Sequence, residues 1–187
     1  MKGESFVEGI TAILVKRKII DAHEAGALKK SFRDSPKPNF DDFLLDEGLI
    51  DKENLLLALG DYYQIPPFDP IGYFFDHQLV RAFPKEFLRS NAIIPIEKDE
   101  EDMLIMLANN PADPDLLLRI GRFVSYDIQF RVGILQDIID SIGEFYDQAL
   151  TEIDEDEDLD KNRHAREHEI EQKKEIEELD REDFEQE

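Results

Sequence analysis

The first 64 residues carry apolar side chains three or four positions apart, the spacing of helices that each bury one face. Asp21 and Asp51 each precede such a run, where a carboxylate can accept hydrogen bonds from free helix amides. Gly48 follows the third run at a position that suits a helix end. The pattern predicts four helices, which cover residues 6–18, 21–32, 40–47 and 52–63.

These helices form an internal repeat with an offset of thirty residues. The two copies read Ile13-Leu14-Val15-x-x-x-Ile19-Ile20-Asp21 and Phe43-Leu44-Leu45-x-x-x-Leu49-Ile50-Asp51. Each copy predicts one helical hairpin, which can bury its apolar face only against its twin or against the next part of the chain. Three prolines between residues 65 and 70 then predict a rigid, extended connector.

Beyond this connector the apolar pattern alternates between helices and short strands. Helix-like residues around Phe83-Pro84-Lys85-Glu86-Phe87-Leu88 precede two apolar runs, 93–96 and 103–107, which a charged turn at 97–102 separates. This arrangement predicts a β-hairpin. Asn110-Pro111 is expected to open a helix, with a third strand at 123–132 and a closing helix at 135–146. The fold class expected is therefore α+β, with helical hairpin repeats followed by a small three-stranded sheet flanked by helices.

Several short motifs of this sequence occur in the same order as in the N-terminal domain of the type II secretion and type IV pilus assembly ATPases, the GspE N-terminal or MshEN-like domain. The chain resembles that domain. The motifs that carry the resemblance are the Phe83–Leu88 helix, the strand with Pro95-Ile96, the Ala108–Asp113 turn and the final Phe145-Tyr146 pair. The resemblance covers about residues 5 to 148. It implies a domain that couples a motor to an inner-membrane platform protein, and hence a protein-interaction or regulatory module.

The expected organisation has four parts: a helical lobe at 1–64, a linker at 65–75, an α/β lobe at 76–148 and an acidic tail at 149–187. Residues 151–187 hold eighteen acids against six Lys or Arg, in a chain whose net charge is −23. The tail is too poor in large apolar residues for a core, so a charged helix or a disordered segment is expected. Such a charge repels nucleic acid and attracts a basic protein partner.

The residues also indicate what chemistry to expect. The family's motor needs a Gly-x-x-x-x-Gly-Lys-Ser/Thr loop, and these 187 residues contain no Gly-Lys pair. We therefore expect an adaptor domain and not an enzyme, without cofactor. On a helix, His164, His168 and Glu171 would share one face, but His-Ala-Arg-Glu-His is not a zinc protease motif, and no metal site is predicted. Without cysteine, leader-like segment or long apolar run, a cytoplasmic protein with no membrane insertion is expected.

The resemblance implies an alternative, because MshEN-type members bind cyclic di-GMP through tandem Arg-Leu-Gly-x-x-Leu-Val-x-x-Gly patterns that end in Gln. The second repeat keeps the apolar and glycine positions of this pattern: Leu44, Leu45, Gly48, Ile50, Leu55 and Leu59. It has Asn39-Phe40-Asp41 for Arg-Leu-Gly and Tyr62 for Gln. The first repeat has Gly9-Ile10-Thr11, Lys18 for the second glycine and Phe32 for Gln. A structural helical lobe is expected, with a degenerate nucleotide sensor as the alternative.

An aromatic cluster marks the junction of the two lobes. It consists of Phe68, Tyr73, Phe74 and Phe75. Such clusters serve either as packing between lobes or, where they are exposed, as a docking patch for a protein partner, because buried aromatic side chains dominate interface energies. These four residues are the predicted partner-docking site, and the partner expected belongs to a secretion or pilus machine.

Overall fold

The structure, a computed structural model, describes residues 3–99 and 102–147. Its first part is helical and contains α1 (Glu4–Lys16), α2 (Ala22–Asp34), α3 (Phe40–Asp46) and α4 (Lys52–Tyr63). Asp21 and Asp51 cap α2 and α4 as predicted, since their carboxylates accept hydrogen bonds from the amides of Glu24 and Asn54. The two helical hairpins of the repeat are thus confirmed.

The second part combines short helices with a sheet. It contains α5 (His77–Arg81), α6 (Lys85–Asn91), β1 (Ile93–Lys98), β2 (Leu104–Ala108), α7 (Leu116–Ile120), β3 (Ile128–Val132) and α8 (135–147). The strand order is β1-β2-β3, with β1 antiparallel and β3 parallel to β2. The α+β class and the three-stranded sheet are confirmed. The sequence did not predict α5, although Asp76 caps it by accepting hydrogen bonds from the amides of Gln78 and Leu79.

The helix expected to begin at Asn110-Pro111 begins instead at Leu116. Pro114 disfavours a helical conformation at the residue before it, Asp113. The Asp113 carboxylate accepts a hydrogen bond from the amide of Asp115 and pairs with Arg119 of α7. The chain after β2 therefore makes turns before α7, and β3 is shorter than predicted because residues 123–127 are irregular.

The apolar core of the helical repeats continues into the sheet. Residues of all four helices share a buried cluster with Val132 at the end of β3 and with Ile134. All of β2 is buried as the middle strand. Met1–Glu144 forms one compact unit, and Phe145–Glu187 is grouped separately. The division at 64 and 75 stays a prediction, and the expectations about residues 149–187, including His164, His168 and Glu171, concern residues outside those described.

Candidate functional site

The two repeats end their first helices in the same backbone motif. The amides of Gly48 and Leu49 donate to the carbonyls of Leu45 and Leu44 at 2.9 and 3.0 Å. Thirty residues earlier, the amides of Lys18 and Ile19 donate to Val15 and Leu14 at 3.0 Å each. This is the Schellman arrangement, whose turning residue adopts a left-handed conformation. Gly48 has φ +63° and Lys18 has φ +62°, so a lysine occupies a position that favours glycine.

The apolar positions of the nucleotide-motif pattern belong to the core. Leu44, Leu55 and Leu59 are fully buried, and Leu45 is half-buried against the same cluster. Gly48 is exposed. Ile50 is 6% exposed in the same cluster. Five of the six positions singled out in the second repeat thus pack the interior of the helical hairpins, and we infer that their spacing reflects the hairpin fold.

The positions where this pattern would carry Gln hold aromatic rings that contact the opposite repeat. A Cβ atom built on Gly9 would lie 2.7 Å from Cδ2 of Tyr62 and closer still to Cε2. Phe32 lies edge-on to Phe40, with ring centroids 5.0 Å apart. Gly9 and Phe40 both belong to the triplets that stand where Arg-Leu-Gly would be. We call each triplet the motif region of its repeat. The motif region of each repeat is therefore in contact with an aromatic side chain of the other repeat.

Asp41, the third residue of such a triplet, joins the helices to the sheet. It is 1% exposed, and its Oδ2 accepts a hydrogen bond of 3.2 Å from the side-chain amide of Asn109. The same amide donates to the carbonyl of Gly133 at 3.1 Å, so Asn109 bridges α3, the end of β2 and the residue after β3. Asn109 was not among the predicted site residues. The only indication in the sequence is that a polar residue directly follows a strand made entirely of apolar residues.

Tyr63 lies close to this bridge. Its hydroxyl donates a hydrogen bond of 3.3 Å to Oδ1 of Asn110. Burial raises the pKa of Tyr63, and the neighbouring Tyr62 and the negative charge of Asp41 raise it further. The phenol therefore stays protonated over the physiological range and acts as a hydrogen-bond donor at the junction of α4 with the chain that follows β2.

The predicted docking aromatics divide into a packed row and one exposed ring. Tyr73 lies edge-on to both Phe68 and Phe75, with centroids 5.2 and 5.1 Å apart. Phe74 is 96% exposed, and Ile71 is 49% exposed. We call residues 68–76 the aromatic loop. Three of its predicted residues support one another, whereas Phe74 presents its ring to solvent.

Polar contacts hold the aromatic loop in shape. The Asp69 carboxylate accepts a hydrogen bond of 3.1 Å from the amide of Ile71, and the amide of Tyr73 donates to the carbonyl of Pro70 at 3.1 Å. Gly72 has φ +76°, a conformation that needs glycine. Local contacts therefore hold the backbone before Phe74, and on its other side Asp76 caps α5.

A charged cluster anchors the aromatic loop to neighbouring helices. Nζ of Lys52 lies 2.9 Å from Oδ1 of Asp69 and 3.1 Å from Oδ2 of Asp137 on α8. Burial raises the pKa of Asp137, while the Lys52 ammonium opposes that shift. Burial also raises the pKa of Tyr73, and the charge of Glu97 adds to it. Glu97 therefore lies within electrostatic reach of the aromatic row.

The comparisons with known proteins agree with this architecture. Residues 63–152 match the model of the MshEN domain. We call this region the MshEN domain after the model that it matches. The match begins at the last residue of α4, so it takes in the aromatic loop, the sheet and α5 to α8, while the helical repeats precede it. As expected from the resemblance, the chain is related to the N-terminal domains of secretion and pilus ATPases.

Solved structures extend the likeness to the helical repeats. A structure of MshE with cdg has 18% identity, covers 73% of this chain and 98% of its own, and gives a TM-score of 0.59. The N-terminal domain of XpsE has 16% identity, covers 76% of this chain and 97% of its own, and gives 0.52. At these identities the likeness establishes the fold. A search of characterised proteins gave no significant match.

The MshEN domain carries a second apolar surface that the sequence analysis missed. It comprises Leu117, Leu118, Phe123 and Tyr126, which are 54%, 69%, 40% and 36% exposed. A signal was present, because three successive leucines at 116–118 cannot all face inward from one helix. Nζ of Lys98 lies 4.0 Å from the centroid of the Tyr126 ring. None of the helices in residues 3–99 and 102–147 has the length and apolar character of a bilayer span.

Proposed function

We propose that this chain is a non-enzymatic interaction module that docks on the cytoplasmic part of a secretion or pilus machine. Its MshEN domain supports a regulatory or interaction role, because the related domains are the N-terminal domains of ATPases of those machines. The motif of a phosphate-binding loop does not occur in these 187 residues. The proposed docking element is the aromatic loop, with Phe74 as its anchor.

The observation that carries this proposal is the exposure of Phe74 on an ordered loop. A phenylalanine that is 96% exposed leaves nearly all of its apolar surface in water. Burial of one such side chain contributes about 1.5–3 kcal/mol. Because the Phe68–Tyr73–Phe75 row and the turns at Asp69 and Gly72 fix the loop, docking there orders little that is not ordered already.

Replacement of Phe74 by alanine tests the proposal. We expect Phe74→Ala to weaken binding to the purified cytoplasmic domains of inner-membrane platform proteins by about 10- to 30-fold, the effect of losing an interface anchor. Leu118→Ala, at a side chain that is also largely exposed, is the matched control. Calorimetric titration measures both affinities after cross-linked capture from native cells has identified which platform protein binds. Equal affinities of Phe74→Ala and the wild type would contradict the proposal.

The second candidate function is binding of a cyclic dinucleotide at the helical repeats. The similarity to MshE in a structure with cdg, cyclic di-GMP, favours it. The contacts of Tyr62 with Gly9 and of Phe32 with Phe40 argue against it, because they fill the motif region. We expect titration of the full chain with cyclic di-GMP to give no saturable heat. A defined stoichiometry would revive this function.

A further inference from the structure

The aromatic loop lies in an acidic stretch of the chain. Residues 61–76 contain three aspartates and no lysine or arginine. Asp69 and Asp76 are exposed at the two ends of the loop. Glu97, exposed on β1, is close enough to the aromatic row to raise the pKa of Tyr73. Two carboxylates thus flank the exposed Phe74 in the aromatic loop, and a third acts on the neighbouring Tyr73.

The cation that pairs with the aromatic loop, Lys52, does not reverse the sign of the loop's charge. Lys52 is held between the carboxylates of Asp69 and Asp137 at 2.9 and 3.1 Å. One ammonium group therefore serves two carboxylates, and Asp76 and Glu97 add two further negative charges. The aromatic loop, together with Lys52, Asp137 and Glu97, therefore carries a net negative charge, in agreement with the acidic composition of the whole chain.

We propose that Phe74 inserts into an apolar socket of a partner protein whose border is lined with lysine and arginine. This inference rests on the proposed function, since it specifies the partner of the same loop. Complementary charge at the edge of an interface steers the encounter and excludes wrong partners, while the buried apolar anchor contributes most of the affinity. A second copy of this chain and an anionic membrane surface carry the same sign as the loop and are repelled.

A pair of synthetic peptides supplies the probe. Both are amphipathic helices of about 18 residues, or five helical turns, with the same leucine and phenylalanine face. One carries lysine and arginine beside the apolar face, and the other carries glutamate in their place. The full-length protein, labelled with ¹⁵N, is titrated with each peptide, and amide shifts in residues 68–76 report binding at the aromatic loop.

Three isosteric substitutions in the protein remove the charge without removing the turns. Asp69→Asn keeps an oxygen for the amide of Ile71, and Asp76→Asn keeps one for the amides of Gln78 and Leu79. The loop variant combines Asp69→Asn, Asp76→Asn and Glu97→Gln. A control variant with the same change in net charge combines exposed positions in the helical repeats: Glu4→Gln, Asp34→Asn and Glu47→Gln.

We expect the basic peptide, and not the acidic one, to shift the amides of the aromatic loop. The loop variant should weaken that binding by about tenfold, and the control variant by less than about twofold. High salt should reduce the affinity of the wild type, because the screening length falls to about 3 Å at 1 M. Equal binding of both peptides, or equal loss in the two variants, would overturn the inference.

The outcomes separate this inference from the proposed function. If Phe74→Ala abolishes binding while the charge variants and salt have no effect, the loop docks but its partner has no basic border. If Phe74→Ala leaves the binding of the basic peptide unchanged, both ideas fail at this loop. Loop shifts on addition of phosphatidylcholine vesicles, or self-association that Phe74→Ala removes, would identify a lipid surface or a second copy as the occupant and overturn the inference.

Discussion

Among single residues, Lys18 and Gly48 show how the two repeats have diverged while keeping one backbone path. Both residues turn the chain in the left-handed region at the end of a helix, with nearly the same φ. In that conformation the Cβ of any residue other than glycine is crowded by the following carbonyl oxygen. The first repeat therefore carries a local strain that the second repeat avoids.

Separate substitutions of these two residues provide the first stability prediction. We expect Lys18→Gly to stabilise the protein by about 1 kcal/mol and Gly48→Ala to destabilise it by about the same amount. Apart from its own chain neighbours, no atom of the described residues lies within 4 Å of a Cβ at Gly48, so the cost there comes from the backbone conformation. Urea unfolding followed by circular dichroism measures both. A loss of stability in Lys18→Gly would show that the lysine side chain contributes more than its strain costs.

At the level of helices and strands, the caps and hairpins were predictable because they depend on neighbouring residues. Asp21 and Asp51 cap the helices that the sequence assigned to them, and α4 has the predicted bounds. The helix after β2 was placed too early because the Asp113–Arg119 pair and Pro114 delay its start. Contacts between the repeats, such as those of Tyr62 with Gly9, were not predictable, because they depend on how the hairpins pack.

The close approach of Tyr62 gives a prediction for packing between helices α1 and α4. We expect Gly9→Ala to destabilise the protein by about 1–3 kcal/mol, since a methyl group at Gly9 overlaps the Tyr62 ring. Gly26→Ala in α2 is the matched control, because nothing lies within 4 Å of its Cβ and alanine favours a helix by about 1 kcal/mol. Thermal unfolding should therefore move in opposite directions in the two variants. Equal shifts would show that the ring moves aside without cost.

In the whole unit up to Glu144, a buried polar bridge complements the continuous apolar core. Asn109 connects Asp41 of α3 to the carbonyl of Gly133, and Val132 joins the core of the helices. The helical repeats and the sheet of the MshEN domain therefore share both apolar and polar contacts. The aromatic loop, between α4 and α5, also contacts both parts, because Lys52 of α4 pairs with Asp69 of the loop and with Asp137 of α8.

Removal of the bridge tests that coupling. We expect Asn109→Ala to cost about 1–3 kcal/mol, because Asp41 and the Gly133 carbonyl both lose a buried donor. The adjacent Asn110→Ala is the control, since Asn110 is exposed and accepts one long hydrogen bond from Tyr63, so its loss should cost less than about 0.5 kcal/mol. Urea unfolding followed at two probes, helix dichroism and tyrosine fluorescence, reports the result. A small effect at Asn109, with coincident transitions, would show that the apolar core alone joins the parts.

The sequence by itself determined the repeat, its caps, the β-hairpin and the relation to secretion and pilus ATPases, because these depend on local spacing and on short sequence motifs. It also named Phe68, Tyr73, Phe74 and Phe75 as a group. Only the tertiary structure decided which of them is exposed, since burial depends on the elements that surround a side chain. For the same reason the structure alone revealed the Asn109 bridge and the aromatic rings that fill the motif region of each repeat, whose partners lie far apart in the chain.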